Sequence, residues 1–155
     1  MGTNYYFRKK TFDPTRIDAI ADGLNDEFKA LVAKYNERLH KAYSEMGIDS
    51  YYDFDDDRTF YSPIRNADYD IHVGKLSHGW KPLLQAGDHF NSITTLKQWH
   101  EQNKHDYNFI DEYRDEASFE DFLAEIAKRN KDENAKNHER VQTTDGYDWM
   151  YTKFS

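Results

Sequence analysis

The residue types best suited to chemistry crowd into the middle of the chain. Ile71-His72-Val73-Gly74-Lys75-Leu76-Ser77-His78-Gly79-Trp80 brings two imidazoles, an ammonium and a hydroxyl into one short stretch. His72, Lys75, Ser77 and His78 together would suit a small anion or a nucleotide phosphate. The established phosphate and nucleophile motifs fail on spacing. A P-loop needs G-x-x-x-x-G-K-[ST], whereas Ser77 comes one place late and the upstream glycine is missing. A nucleophile elbow needs G-x-S-x-G, and Gly74 and Gly79 do not flank Ser77 that way. A ligand-binding tip remains, with no catalytic residue. His89, His100 and His105 match no zinc pattern, since His100 and His105 stand too far apart to share a helical face. No metal and no cofactor is expected.

A second constellation is acidic. Asp49-Ser50-Tyr51-Tyr52-Asp53-Phe54-Asp55-Asp56-Asp57 contains the D-x-D-x-D opening of a calcium loop at Asp53, Asp55 and Asp57. The glycine that should follow is Arg58, and the closing glutamate is Ile64, so the calcium reading fails. The stretch then reads either as a solvated loop or as a contact surface for a basic partner, built from Tyr51, Tyr52, Asp53, Asp55, Asp56 and Asp57. Asp interleaved with Tyr and Phe presents charges and ring faces as a nucleic acid does. A further acidic run, from Asp106 through Asp111, Glu112, Asp115, Glu116, Glu120 and Asp121 to Glu125, would form a second such surface.

Regular elements must hold these residues in place. Thr3 to Phe12, rich in Tyr and Phe, predicts a strand. Asp13-Pro14 opens a helix as N-cap and first helical residue. Ile17, Ala21, Leu24, Phe28, Leu31, Tyr35, Leu39, Ala42 and Met46 recur in steps of three and four, predicting a helix of about thirty residues that Gly47 closes. Its apolar face would pack on the domain's own sheet or pair with a second copy or a partner helix. A heptad series through Ile17, Leu24 and Leu31 breaks at Arg38, so any coiled coil is short. The central stretch predicts a β-hairpin with Lys75, Ser77 and His78 at its tip, its second strand running from Trp80 through Leu83 and Leu84. Thr95-Leu96-Lys97-Gln98 reads as a capping box with Thr95 at the N-cap, placing Leu96 and Trp99 inward. Tyr107 to Ile110 predicts a strand, and Ser118 caps a helix that turns Phe119, Phe122, Leu123 and Ile126 inward. Asn130 to Arg140, nearly all polar or charged, reads as a helix tail or a mobile link. Asp145-Gly146 predicts a type I′ hairpin with Tyr147, Trp149 and Tyr151 on one face.

Bulk properties bound the answer. The 155 residues suit one domain, or one domain with an appended helical arm, and 37% hydrophobic content is thin, but 12 Tyr, 10 Phe and 3 Trp supply an aromatic core. The net charge of −8 disfavours direct binding to nucleic acid and suits a basic partner. With no cysteine, disulfides and thiolate metal sites are excluded and a cytosolic setting is permitted. Neither a signal peptide nor a membrane span is expected.

Met1-Gly2-Thr3-Asn4-Tyr5-Tyr6, the His72-Val73-Gly74-Lys75 core with Gly79-Trp80, the Ile93 to Trp99 segment, Ile110 to Tyr113, Ser118 to Ile126 and the closing Phe154-Ser155 resemble a group of small phage and prophage proteins. These begin MGTNYY and carry H-[IV]-G-K-x-S-x-G-W. The resemblance covers about residues 1–8 and 71–126 and the final hairpin. It implies a phage or mobile-element origin and no particular activity. Many relatives carry a Cys pair between the opening strand and the core, suggestive of a metal knuckle. This chain instead has residues 13–58, a long helix and acidic loop that read as a family-atypical insert.

The expected fold is therefore α+β: a small antiparallel sheet, two short helices and one long N-terminal helix, in a single domain 1–155. The expected function is a non-enzymatic phage accessory or counter-defence protein in the host cytoplasm. It would bind and inhibit a host protein with a basic surface, such as a CRISPR effector or other nuclease. The alternative is a protein that sequesters a small ligand or nucleotide at the central hairpin.

Overall fold

Tyr5 and Phe7 alternate along the first strand with Asn4, Tyr6 and Arg8, and this alternation gives the sheet an apolar face and a polar one. The computed structural model describes residues 2–63 and 69–155. Among these, the elements are β1 (Gly2–Lys9), α1 (Pro14–Glu45), β2 (Ile71–Ser77), β3 (Leu83–Gln85), α2 (Ile93–Asn103), β4 (Tyr107–Asp111), α3 (Phe119–Asn130) and β5 (Asp148–Met150). The class is α+β with one small sheet, ordered β4-β1-β2-β3-β5. Ile64, the last position of the rejected calcium loop, lies outside the described residues, as does Met1.

The chain divides into two compact units, Met1–Phe12 with Asn66–Ser155, and Asp13–Arg65. In the first, Phe7, Val73, Leu84, Phe109 and Trp149 from the strands meet Leu96 of α2 and Phe119, Phe122 and Ile126 of α3 in one buried cluster. Each such side chain contributes roughly 1.5–3 kcal/mol by leaving water. Ser118 caps α3 as expected, its Oγ accepting from Asp121 N at 3.2 Å.

Three local expectations are corrected. Helix α2 begins earlier than predicted, because Ser92 and not Thr95 is the N-cap. Ser92 Oγ accepts from Thr95 N at 3.1 Å and Thr95 Oγ1 accepts from Ser92 N at 3.0 Å. Residues near Asp145 form no type I′ turn: Gly146 alone has a positive φ, +85°. The Asp145 carboxylate is held instead by Ile93 N at 2.7 Å and Trp149 Nε1 at 2.8 Å, which caps α2 from a distance. Strand β5 accordingly joins the sheet parallel to β3, with Leu84 opposite Trp149, while a lone bridge links Gln142 to Trp149. The stretch after α3 is pinned to the central hairpin: Lys136 N donates to Gly79 O at 2.8 Å, and Trp80 stacks on His138 at 5.1 Å.

The second unit holds α1. Asp13 Oδ1 accepts from Arg16 N at 3.3 Å at its start. At its end Gly47, φ +71°, lets Ile48 N reach Tyr43 O at 2.9 Å and its own N reach Ser44 O at 3.1 Å, a Schellman closure. The helix runs 32 residues, and none of them is buried.

Candidate functional site

The acidic stretch is built on α1. Asn25, Phe28, Asn36, His40 and Tyr43 fall on one side of the helix, and residues 51–60 run back along that side as an extended strap. Asn25 Nδ2 donates to Phe60 O at 2.8 Å, while Phe60 N donates to Asn25 Oδ1 at 2.7 Å. Asn36 repeats the device on Phe54, at 3.2 and 2.7 Å. A carboxamide carries a donor and an acceptor side by side, matching the N–H and C=O of one extended residue. Two such clamps satisfy backbone groups that have no strand neighbour. Rings complete the seam: Tyr51 stacks on Tyr43 at 4.4 Å, and Phe60 meets Phe28 edge-on at 5.7 Å.

This geometry sorts the predicted contact residues. Tyr51 and Asp53 turn toward the helix, Asp53 Oδ1 lying 2.7 Å from His40 Nε2. Burial against α1, with Asp53 and Tyr43 adding to it, raises the Tyr51 phenol pKa above its ordinary value. Tyr52 points outward and is 96% exposed, and Phe54 and Tyr61 are exposed as well. Asp55, Asp56 and Asp57 are exposed with carboxylate oxygens within 4.8 Å of one another. Asp57 N donates to Asp55 Oδ1 at 2.9 Å, which fixes the turn between them.

The central stretch sits differently from its sequence reading. Strand β2 continues through Ser77, so Lys75 and Ser77 lie within the strand and only His78 belongs to the turn. A bulge at Val73 shifts the register: Tyr5 faces Gly74, whereas Tyr6 faces His72. His72, Lys75 and Ser77 thereby share the polar face with Asn4 and Tyr6, which strict alternation would forbid. His72 stacks on Tyr6 at 5.0 Å and meets Phe154 edge-on at 4.6 Å. Asn4 Nδ2 donates to Glu112 Oε2 at 3.1 Å, so Asn4 Oδ1 is the acceptor for His72 Nε2–H, also at 3.1 Å. Burial pushes the His72 pKa down to about 4, with Lys75 acting in the same direction, against the acceptors offered by Gln85 and the Gly74 backbone.

His72 forms part of the wall of a cleft of about 440 Å³, with Tyr6, Gln85, Phe90, Tyr151, Lys153 and Phe154 among its other lining groups. Lys75 Nζ donates to Ser155 O at 2.7 Å. The Ser77 carbonyl accepts from Arg129 Nη1 at 3.3 Å. Of the four predicted ligand residues only His72 reaches the cleft; Lys75 and Ser77 follow it along β2, and His78 is exposed in the turn.

No family model, curated protein or solved structure matches this chain.

The functional reading therefore rests on geometry. The strap offers rings and carboxylates on a fixed backbone, which suits docking. The cleft offers aromatic walls with the imidazoles of His72 and His89, the Gln85 amide, the Lys153 ammonium and the carboxylates of Asp70 and Asp88, which suits a small partly aromatic ligand. Sequence reasoning missed Asn25 and Asn36, whose signal was two asparagines eleven residues apart on one helical face, each costly in a helix interior. It also missed the bidentate Arg8–Asp70 pair, at 2.8 and 2.6 Å. Among the described residues no helix is long and apolar enough to cross a membrane.

Proposed function

We propose that this chain is a non-enzymatic binding protein that sets the strap of its helical unit against a basic surface of another protein. One observation carries the reading. Two carboxamide clamps fix the strap backbone on α1, while Tyr52, Phe54, Asp55, Asp56 and Asp57 stand in solvent. A backbone fixed before docking loses little freedom on binding, and clustered carboxylates steer a cationic partner. The net charge of −8 acts in the same sense over the whole chain.

The resemblance to phage and prophage proteins supports a setting: an accessory or counter-defence protein in the host cytoplasm. Its target would be a host nuclease, a CRISPR effector being the type case, inhibited by occupation of its basic nucleic-acid groove. Neither nucleic acid nor membrane is a direct partner in this reading, and the long helix allows a homodimer. A panel of purified host nucleases tests it. Inhibition of one member should survive Lys75→Ala and be lost on combined reversal of Asp55, Asp56 and Asp57 to Lys. Inhibition indifferent to that reversal contradicts the reading.

The cleft beside His72 favours a second reading, sequestration of a small ligand or nucleotide. Its test is the melting temperature across a nucleotide panel. A ligand-induced rise of several degrees that His72→Ala abolishes supports it, and a flat panel removes it.

A further inference from the structure

The cleft beside His72 has an unmet hydrogen-bond acceptor in its wall. Gln85 Nε2 donates to Met150 O at 2.9 Å, to Ala86 O at 3.2 Å and to Thr152 O at 3.3 Å. Carbonyls only accept, so these contacts fix which end of the Gln85 amide is the NH2 group. Gln85 Oε1 is thereby directed elsewhere. It is buried and has no hydrogen-bond partner among the described residues. The His72 ring beside it has no proton to give. The neutral imidazole carries its one proton on Nε2 and donates it to Asn4 Oδ1 at 3.1 Å. An acceptor left buried in this way is costly, and a donor that reached it would be favoured.

Residues 150–155 touch both of these side chains. Gln85 holds the Met150 and Thr152 carbonyls, Lys75 Nζ holds Ser155 O at 2.7 Å, and Phe154 sets its ring edge-on to His72 at 4.6 Å. Within this segment Tyr151, Thr152, Lys153 and Ser155 are exposed, so Phe154 is its main anchor. Phe154 therefore shows what the wall accepts, an aromatic ring against the imidazole. A phenyl ring brings no N–H to Gln85, whereas a flat ring bearing an amine brings both. The charges of the lining offset one another. Lys153 is matched by Asp88, and Asp70 is already paired with Arg8, so the cleft favours an uncharged ligand. Its volume of about 440 Å³ falls within the range of small-molecule sites.

Building on the reading of this cleft as a ligand site, we propose that it takes an amino-substituted heteroaromatic base, as carried by a nucleoside. The exocyclic amine donates to Gln85 Oε1, and the ring takes the place of Phe154 against His72. Residues 151–155 act as a tethered competitor, and the apparent affinity is reduced by the need to displace them.

Two matched pairs test this by calorimetric titration of the full chain. Adenosine is compared with purine riboside, and cytidine with pyrimidin-2-one riboside, each second member lacking only the amine. In at least one pair the amine-bearing member should bind roughly five- to tenfold more tightly. This comparison needs no variant. Gln85→Met removes the acceptor and should bring that pair to equal affinity. Phe154→Ala should tighten both members together, and weaker binding by Phe154→Ala overturns the displacement. Equal affinity within both pairs, with binding that His72→Ala abolishes, overturns the proposal and leaves the cleft reading standing. No binding by any of the four also overturns it, and the nucleotide panel then decides the cleft reading separately.

Discussion

His72 is a half-buried imidazole whose Nε2 is committed to Asn4, and its neutral form suits the fold. Its folded pKa, about 4, lies below the unfolded value near 6.5. Between those limits the unfolded chain takes up a proton that the folded chain refuses, so stability falls as pH drops from about 6.5 to about 4. Each pH unit in that window is worth at most about 1.4 kcal/mol for this group. Burial also holds the His100 pKa low, which adds to the slope. Urea denaturation of His72→Gln across that pH range should show a shallower loss of stability than the parent, and an unchanged slope would contradict this account of His72. Arg8 makes a sharper case. Its guanidinium holds Asp70, whose side chain is 1% exposed. Arg8→Ala should cost about 3–5 kcal/mol by leaving that carboxylate unpaired, while Arg8→Ala with Asp70→Ala should cost less than Arg8→Ala alone. Thermodynamic cycles on the two single variants and the double measure the difference.

At the scale of elements, the strap depends on two amide side chains. Asn36→Ala removes two hydrogen bonds, worth together about 1–3 kcal/mol. It should speed amide exchange at Phe54 while leaving α1 helical, with Asn25→Ala doing the same at Phe60; unchanged exchange would show that the clamps do not hold the strap. Strand β2 depends on Gly74, where an added Cβ would meet Leu83 O at 2.7 Å and Leu84 Cδ2 at 3.0 Å. Gly74→Ala should therefore lower stability by roughly 1–3 kcal/mol in chemical denaturation. What was legible in the sequence was local. Asp13, Pro14 and Gly47 set the ends of α1 within their own turns, and Ser118 did the same for α3. What was not legible needed distant partners. Ser92 and Thr95 both look like caps, and Asp145, far along the chain, reaches the helix start they share. The parallel pairing of β5 and the bulge at Val73 are likewise set by neighbours remote in sequence, and the bulge decides which candidate residues share a face.

At the scale of the molecule, the proposed docking role falls to the part of the acidic charge that the structure holds still. Many of the acidic residues lie on solvated surfaces, but Asp55, Asp56 and Asp57 sit on a backbone clamped to a long helix beside exposed Tyr52 and Phe54. The composition was legible in the sequence, and the helix–strap seam that orders it was not; the proposed docking role rests on that seam. Such a surface should bind a basic partner with strong salt dependence, since exposed charges are screened beyond about 10 Å at 0.1 M salt. The most direct test is the affinity for one inhibited nuclease, titrated calorimetrically at low and at moderate salt. The parent chain is compared with Asn25→Ala/Asn36→Ala, which frees the strap without changing its charge. The account predicts that the parent binds more weakly as salt rises, and that the double variant loses about tenfold or more at both salt concentrations. Equal affinity for the parent and the double variant would contradict it.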